Sequence, residues 1–153
     1  MKRTLACLTA LLLIAGAVQP VRAESNPTFN VTTYGLELCS QDMCGAAIFA
    51  GIVVGKVNGN PAAGTFAVAV THDPLPEPYH VAAITGGQFE FRIGLRRISG
   101  IVEGGTLYNT GQNTFVVHAL LRITRGGSGS LVYDGLLDHN VFPPTVVGTV
   151  VTQ

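Results

Sequence analysis

Residues Asn113–Ile123 read Asn-Thr-Phe-Val-Val-His-Ala-Leu-Leu-Arg-Ile, and this stretch decides the fold class. Every second residue from Phe115 to Ile123 is apolar, whereas the positions between them include His118 and Arg122. Successive side chains of a β-strand point to opposite faces, so the alternation predicts a strand with one buried face and one mixed face. A sheet built from such strands is antiparallel and covers a single core.

Similar runs rich in Val, Ile, Thr and Phe recur after residue 23, and Gly or Pro separates them. Asn58–Pro61 and Asn109–Gln112 predict tight turns because Asn and Gly tolerate positive φ. Gly86-Gly87 and Gly126-Gly127 are predicted to mark two further connections. The pattern predicts eight strands: Ala46–Asn58, Gly64–His72, Tyr79–Thr85, Gln88–Arg96, Ile98–Asn109, Gln112–Thr124, Ser130–His139 and Thr145–Thr152.

Eight short strands with short connections predict an all-β domain over residues 46–153. A small antiparallel eight-stranded barrel fits the many strand glycines, which suit bends and bulges, and a two-sheet β-sandwich is the alternative. Residues 24–45 contain Pro27 and few paired runs, so we predict a peripheral N-terminal arm with a disulfide loop. Phe29–Tyr34 is a candidate edge strand.

The first 23 residues have the pattern of a secretory signal peptide of bacterial type. Lys2 and Arg3 precede the uncharged apolar run Leu5–Val18, and Val21–Ala23 supplies the small residues of a cleavage site. Cleavage after Ala23 would leave a secreted or periplasmic protein with no stable membrane span. Only 12% of residues are charged and the formal net charge is zero, which excludes a strongly basic nucleic-acid binder.

Two cysteines, Cys39 and Cys44, remain after that cleavage because Cys7 lies inside the signal. An even pair in an exported protein predicts a disulfide. The four-residue spacer differs from the Cys-x-x-Cys spacing of a redox pair, so we expect a structural staple for a local turn.

The segment Leu121–Gly135 resembles the strand, Gly-rich turn and strand of allene oxide cyclase-like and dirigent-like barrels. It reads Leu-Arg-Ile-Thr-Arg-Gly-Gly-Ser-Gly-Ser-Leu-Val-Tyr-Asp-Gly. The resemblance implies an eight-stranded antiparallel barrel with an apolar cavity. Leu131 stands where those families carry an aromatic residue, and no catalytic residue carries over.

Four polar side chains are candidates for a pocket inside such a barrel: His118, Glu90, Arg92 and Tyr133. A barrel enzyme would need inward polar groups, and His118, Glu90 and Tyr133 are the residue types that could serve as acid, base or ligand contact. Glu90 and Arg92 are two residues apart and so share one face of the strand, which also fits an ion pair on the surface.

Two mirrored motifs, His72-Asp73 and Asp138-His139, each end a predicted strand before a Pro-rich loop. If they met at one rim, their imidazoles and carboxylates could hold a metal ion such as zinc. The alternative is that each Asp caps a turn and each His lies at a solvated strand end. Counting the predicted strands places the two motifs at opposite rims, unless a predicted strand such as Tyr79–Thr85 is absent.

No catalytic motif is evident, so the sequence predicts an exported binding or structural module that takes a small apolar ligand or a protein partner. One alternative is a cyclase- or isomerase-like barrel enzyme acting on a small apolar substrate, and another is a metal-binding protein. No phosphate loop, dinucleotide fingerprint or nucleophile elbow occurs, and no cofactor is expected.

Overall fold

A computed structural model describes residues 26–74 and 81–153, and these residues form one closed β-barrel. Each of its eight strands pairs antiparallel with the next in sequence, and the last pairs with the first. In chain order the strands are β1 (Phe29–Cys39), β2 (Ala47–Val57), β3 (Asn60–His72), β4 (Val81–Ile93), β5 (Arg96–Asn109), β6 (Thr114–Arg125), β7 (Gly129–Asp138) and β8 (Thr145–Thr152). One short helix, α1 (Gln41–Cys44), lies between β1 and β2.

The predicted antiparallel barrel is confirmed, and the sandwich alternative is wrong. β1 and β8 pair over seven residues, from Asn30 opposite Val151 to Leu36 opposite Thr145. This pairing satisfies the backbone groups that an open sheet would leave at its edges. The signal-peptide prediction concerns residues outside the described part of the chain.

The predicted peripheral arm over residues 24–45 is wrong in its central part, because Phe29–Cys39 is a full barrel strand. It pairs with β2 on one side and β8 on the other. Phe29, Val31 and Thr33 alternate on its buried face, which is the spacing of a half-buried strand. The prediction gave weight to Pro27 and the cysteines and overlooked this alternation.

Gly86-Gly87 does not separate two strands, and this prediction is also wrong. Both glycines lie within β4, where Gly86 is opposite Thr71 and Gly87 is opposite Val70. A Cβ at Gly87 would stand 2.2 Å from the Ala69 carbonyl oxygen, so the glycine permits close strand contact. The prediction divided β4 into two strands and omitted β1. These two errors cancel, so the predicted number of eight strands is correct.

Turn predictions at the other connections are confirmed. Asn58 and Gly59 join β2 to β3 in a two-residue hairpin turn. Their φ angles of 54° and 75° lie in the left-handed region, which this type of turn requires at both central residues. Residues 110–113 join β5 to β6, and residues 126–128 join β6 to β7.

The two ends of the barrel are packed differently. At the end where β2 leads into β3, apolar side chains fill the interior, and Ile98 and Leu131 are at most 1% exposed. The Phe29 and Phe91 rings lie there with centroids 5.6 Å apart. At the opposite end, which we call the α1 rim, α1 follows β1 and the interior contains a cavity.

Helix α1 is fastened at that rim by a covalent bond and by a side chain. The predicted disulfide is confirmed: Cys39 and Cys44 are bonded, with Cα atoms 6.1 Å apart. The Gln41 side-chain amide donates to the His72 carbonyl and its oxygen accepts from the His72 amide, both at 2.7 Å. Among the described residues, no helix has the length and hydrophobicity needed to cross a membrane.

Candidate functional site

The barrel interior encloses a cavity of about 250 Å³ towards the α1 rim. Engineered apolar cavities of roughly 150 Å³ hold benzene, so this volume admits a small organic molecule. Its wall is mainly apolar and rich in phenylalanine because the inward face of each strand carries the alternating apolar residues. The phenylalanines of the lining are Phe49, Phe66, Phe89, Phe91 and Phe115.

A carboxylate and an imidazole line this cavity at the α1 rim. Glu37, on β1, points inward, and its side chain is only 7% exposed. His139, directly after β7, places Nε2 at 2.9 Å from Glu37 Oε2. The two groups do not meet in hydrogen-bonding geometry, and Nε2 is buried without a hydrogen-bond partner among the described residues. The barrel therefore presents a buried carboxylate and a buried ring nitrogen to the cavity.

Tyr133, on β7, adds a phenol to the same wall. Burial raises the pKa of its hydroxyl to about 12, a shift that the nearby Thr33 hydroxyl opposes, so the phenol is neutral at ordinary pH. Its ring lies over Gly148, where a Cβ would stand 2.5 Å from it, and also over Gly135. These two glycines leave the space that the ring occupies. Tyr133 is the one predicted pocket candidate that lines the cavity.

The other three pocket candidates, His118, Glu90 and Arg92, lie on the outer face of the barrel and do not line the interior cavity, although Glu90 lines a shallow groove on the outer surface. The physical reason is the strand alternation, because Phe89, Phe91 and Ala119 occupy the inward positions beside them.

Each of these three residues has a partner on the outer face. His118 Nδ1 lies 2.6 Å from Asp134 Oδ1. Arg92 Nε donates to Glu90 at 2.5 Å, and Arg97 Nε donates to it at 2.7 Å. These hydrogen bonds lower the pKa of Glu90, that from Arg92 most.

The two mirrored motifs end at the same rim, contrary to the strand count made from sequence. β3 and β7 run in the same direction in this barrel, so His72 and His139 both lie at the α1 rim and line the cavity. Asp73 is exposed. Asp138 caps a turn, accepting from the Asn140 amide at 2.8 Å. Within residues 26–74 and 81–153, no three His, Cys, Asp or Glu side chains come together to hold a metal ion.

Sequence reasoning missed Glu37, Thr33 and Gln41, which are among the polar residues that β1 and α1 bring to the cavity. All three belong to the segment predicted to be an arm. The signal that could have found Glu37 is the alternation from Phe29 through Val31 and Thr33, which puts Glu37 on the same strand face.

Comparison with protein-family models, with curated proteins and with solved structures gives no match to this chain.

Proposed function

We propose that this protein is an exported binding barrel that holds a small, mainly apolar molecule in the cavity beneath the α1 rim. The observation that carries the proposal is the cavity itself, about 250 Å³ of space lined by phenylalanine, leucine and valine with a few polar groups. Ligand sites are typically concave and apolar, with a small number of polar groups that fix orientation. The barrel fold alone supports no particular function, because one fold serves many.

The contrast between the two barrel ends supports this proposal. Side chains fill the end around Ile98 and Leu131, as they do in small barrels that only need a core. The cavity end keeps unfilled space beside Ala47 and Ala119, where larger side chains would close it. Packing favours filling such space, since voids cost stability, so a retained void is typical of a binding site.

Export is the second part of the proposal, and the disulfide and the sequence of residues 1–23 support it. A Cys39–Cys44 bond persists in an oxidising compartment. We expect the intact mass of the protein recovered from the periplasm or medium to correspond to a chain beginning at Glu24. A recovered protein that retains Met1 would contradict this part.

Binding can be measured with 2-naphthol, a neutral bicyclic probe. The chain has tyrosines but no tryptophan, so naphthol can be excited at wavelengths longer than tyrosine absorbs, without protein background. We expect saturable binding, a changed emission spectrum and an increase in melting temperature with probe concentration. Absence of saturable binding by naphthol and by smaller benzene derivatives would contradict the proposal.

Two matched substitutions locate the binding. Ala119 lines the cavity and is buried, whereas Ala83 is exposed on the outer face of β4. Ala119→Phe should abolish naphthol binding by occupying the space, and Ala83→Phe should leave it unchanged. Ala119→Leu, a smaller change, is the alternative if the phenylalanine variant does not fold. Equal binding by the folded Ala119 and Ala83 variants would contradict the cavity as the site.

A further inference from the structure

We propose that the cavity selects ligands carrying an ammonium group, held by Glu37 with the apolar part of the molecule against the phenylalanine wall. This inference rests on the proposed binding function and names its ligand class: small hydrophobic amines in their protonated form.

The first argument is the state of the Glu37 carboxylate. Its side chain is more than nine-tenths buried, and its ion-pair partner within the described part of the chain is the His139 imidazole at 2.9 Å. That contact lacks hydrogen-bonding geometry, so His139 Nε2 has no hydrogen-bond partner among the described residues. A buried carboxylate is costly unless a cation or several donors compensate it. A bound ammonium group would supply both the charge and the N–H donors.

The second argument is the charge of the whole lining. Its acidic residues are Glu37 and Asp42, and none of the described lining residues is a lysine or an arginine. The remaining titratable groups of the lining are His72, His139 and the neutral Tyr133 phenol. A wall of low dielectric strengthens the field of a carboxylate, and no lysine or arginine among the described lining residues balances Glu37 and Asp42, so the cavity attracts cations and repels carboxylate ligands such as fatty acids.

The third argument is the aromatic composition of the same wall. Phe115 lies beside the imidazole, with ring centroids of Phe115 and His139 5.0 Å apart. Faces of aromatic rings attract ammonium groups, and their edges and faces pack against an aryl or alkyl body. Glu37 and Phe115 therefore place a cation acceptor and an apolar surface next to His139.

The test compares three probes of nearly equal shape at neutral pH: 2-phenylethylamine, 2-phenylethanol and phenylacetate. The first is an ammonium ion, the second is neutral and the third is an anion. Isothermal titration with the disulfide-bonded protein should show the amine binding about tenfold or more tightly than the alcohol, with phenylacetate weakest. This comparison needs no variant and so does not depend on how a substitution folds.

Two carboxylate substitutions then test the role of Glu37. Glu37→Gln should remove the preference for the amine, so that the variant binds the amine and 2-phenylethanol with affinities within about twofold of each other. Asp134→Asn is the matched control, since Asp134 also lies beside a histidine but on the outer face. It should leave all three affinities unchanged.

The outcomes separate this inference from the proposed function. If the alcohol binds as tightly as the amine, or if Glu37→Gln keeps the preference for the amine, the ammonium selectivity is wrong while the binding barrel stands. If neither 2-naphthol nor any of the three probes binds, both are wrong.

Discussion

The barrel carries one imidazole–carboxylate pair on its outer face and another on its inner face, and the environment gives them different properties. Outside, His118 and Asp134 are joined by a hydrogen bond, and about half of each side chain is exposed, 47% and 60%. Inside, His139 and Glu37 line the cavity and are less exposed, with exposed fractions of 32% and 7%.

Water satisfies whatever the outer pair leaves unpaired, whereas the inner pair depends on the protein or on a ligand. Strand alternation decides which face each residue occupies: Asp134 points outward from β7 and Glu37 points inward from β1. The same chemical groups thus form a solvated surface pair at one position and a candidate binding site at another. Comparing inner and outer residues of one type is therefore the most direct way to test how the barrel works.

The largest expected effect compares two leucines of β7. Leu131 points inward and has no exposed surface, whereas Leu136 points outward and is 46% exposed. Leu131→Ala should lower the free energy of unfolding by about 2–5 kcal/mol, through lost burial and a new void. Leu136→Ala should change it by no more than about 0.5 kcal/mol. Urea denaturation of both variants measures the difference, and equal losses would contradict the inward packing of Leu131.

A second comparison concerns two tyrosines, Tyr133 inside and Tyr108 on the outer face. Burial raises the pKa of Tyr133 to about 12, above the value near 10 of an unfolded chain. Its stabilising contribution is therefore complete below about pH 10 and is lost as pH rises towards 12. The loss should reach roughly 1 kcal/mol at pH 11 relative to pH 9.

Tyr133→Phe should remove the part of the stability loss at alkaline pH that comes from this phenol. Tyr108→Phe should lose as much stability between pH 9 and pH 11 as the wild type. The measurement is the free energy of unfolding in urea at pH 9, 10 and 11 for the three proteins. If Tyr133→Phe loses as much stability as the wild type over this range, the phenol is not buried as described.

A third and smaller effect concerns the inner carboxylate in the absence of ligand. Glu37→Gln replaces a buried charge lacking a hydrogen-bonded cation by a neutral group of similar shape, which is less costly to bury. We expect the unliganded variant to be more stable by about 0.5–1 kcal/mol, as is common when a functional group is removed. Asp134→Asn should give no such gain, because water already solvates Asp134. A clear destabilisation by Glu37→Gln in thermal or urea unfolding would show that the carboxylate is fully compensated.

The sequence predicted the barrel but only part of its interior, and the reason is physical. Inward residues such as Phe89 and Phe115 follow a two-residue period that depends only on local strand geometry, so the pattern is readable from sequence. Glu37 also obeys that period, but its position in the cavity depends on β1 pairing with β8, more than 100 residues away. The contact between Glu37 and His139 likewise depends on barrel closure, which no local pattern encodes.

The smallest expected effect belongs to the outer-face cluster of Glu90, Arg92 and Arg97. Hydrogen bonds from Arg92 and then Arg97 lower the pKa of Glu90, so the cluster's contribution to stability is present above the pKa of an unfolded glutamate. That contribution is lost as pH falls through the lower folded value. Because both arginines are well exposed, solvent and salt screen the cluster.

Glu90→Gln should therefore reduce stability less than any other destabilising change described above, and the reduction should disappear in acid or high salt. Urea unfolding at pH 7 and pH 3, with and without 1 M NaCl, measures it. A loss that persists in high salt would mean that Glu90 acts through packing and that the outer face is less solvated than its exposure indicates.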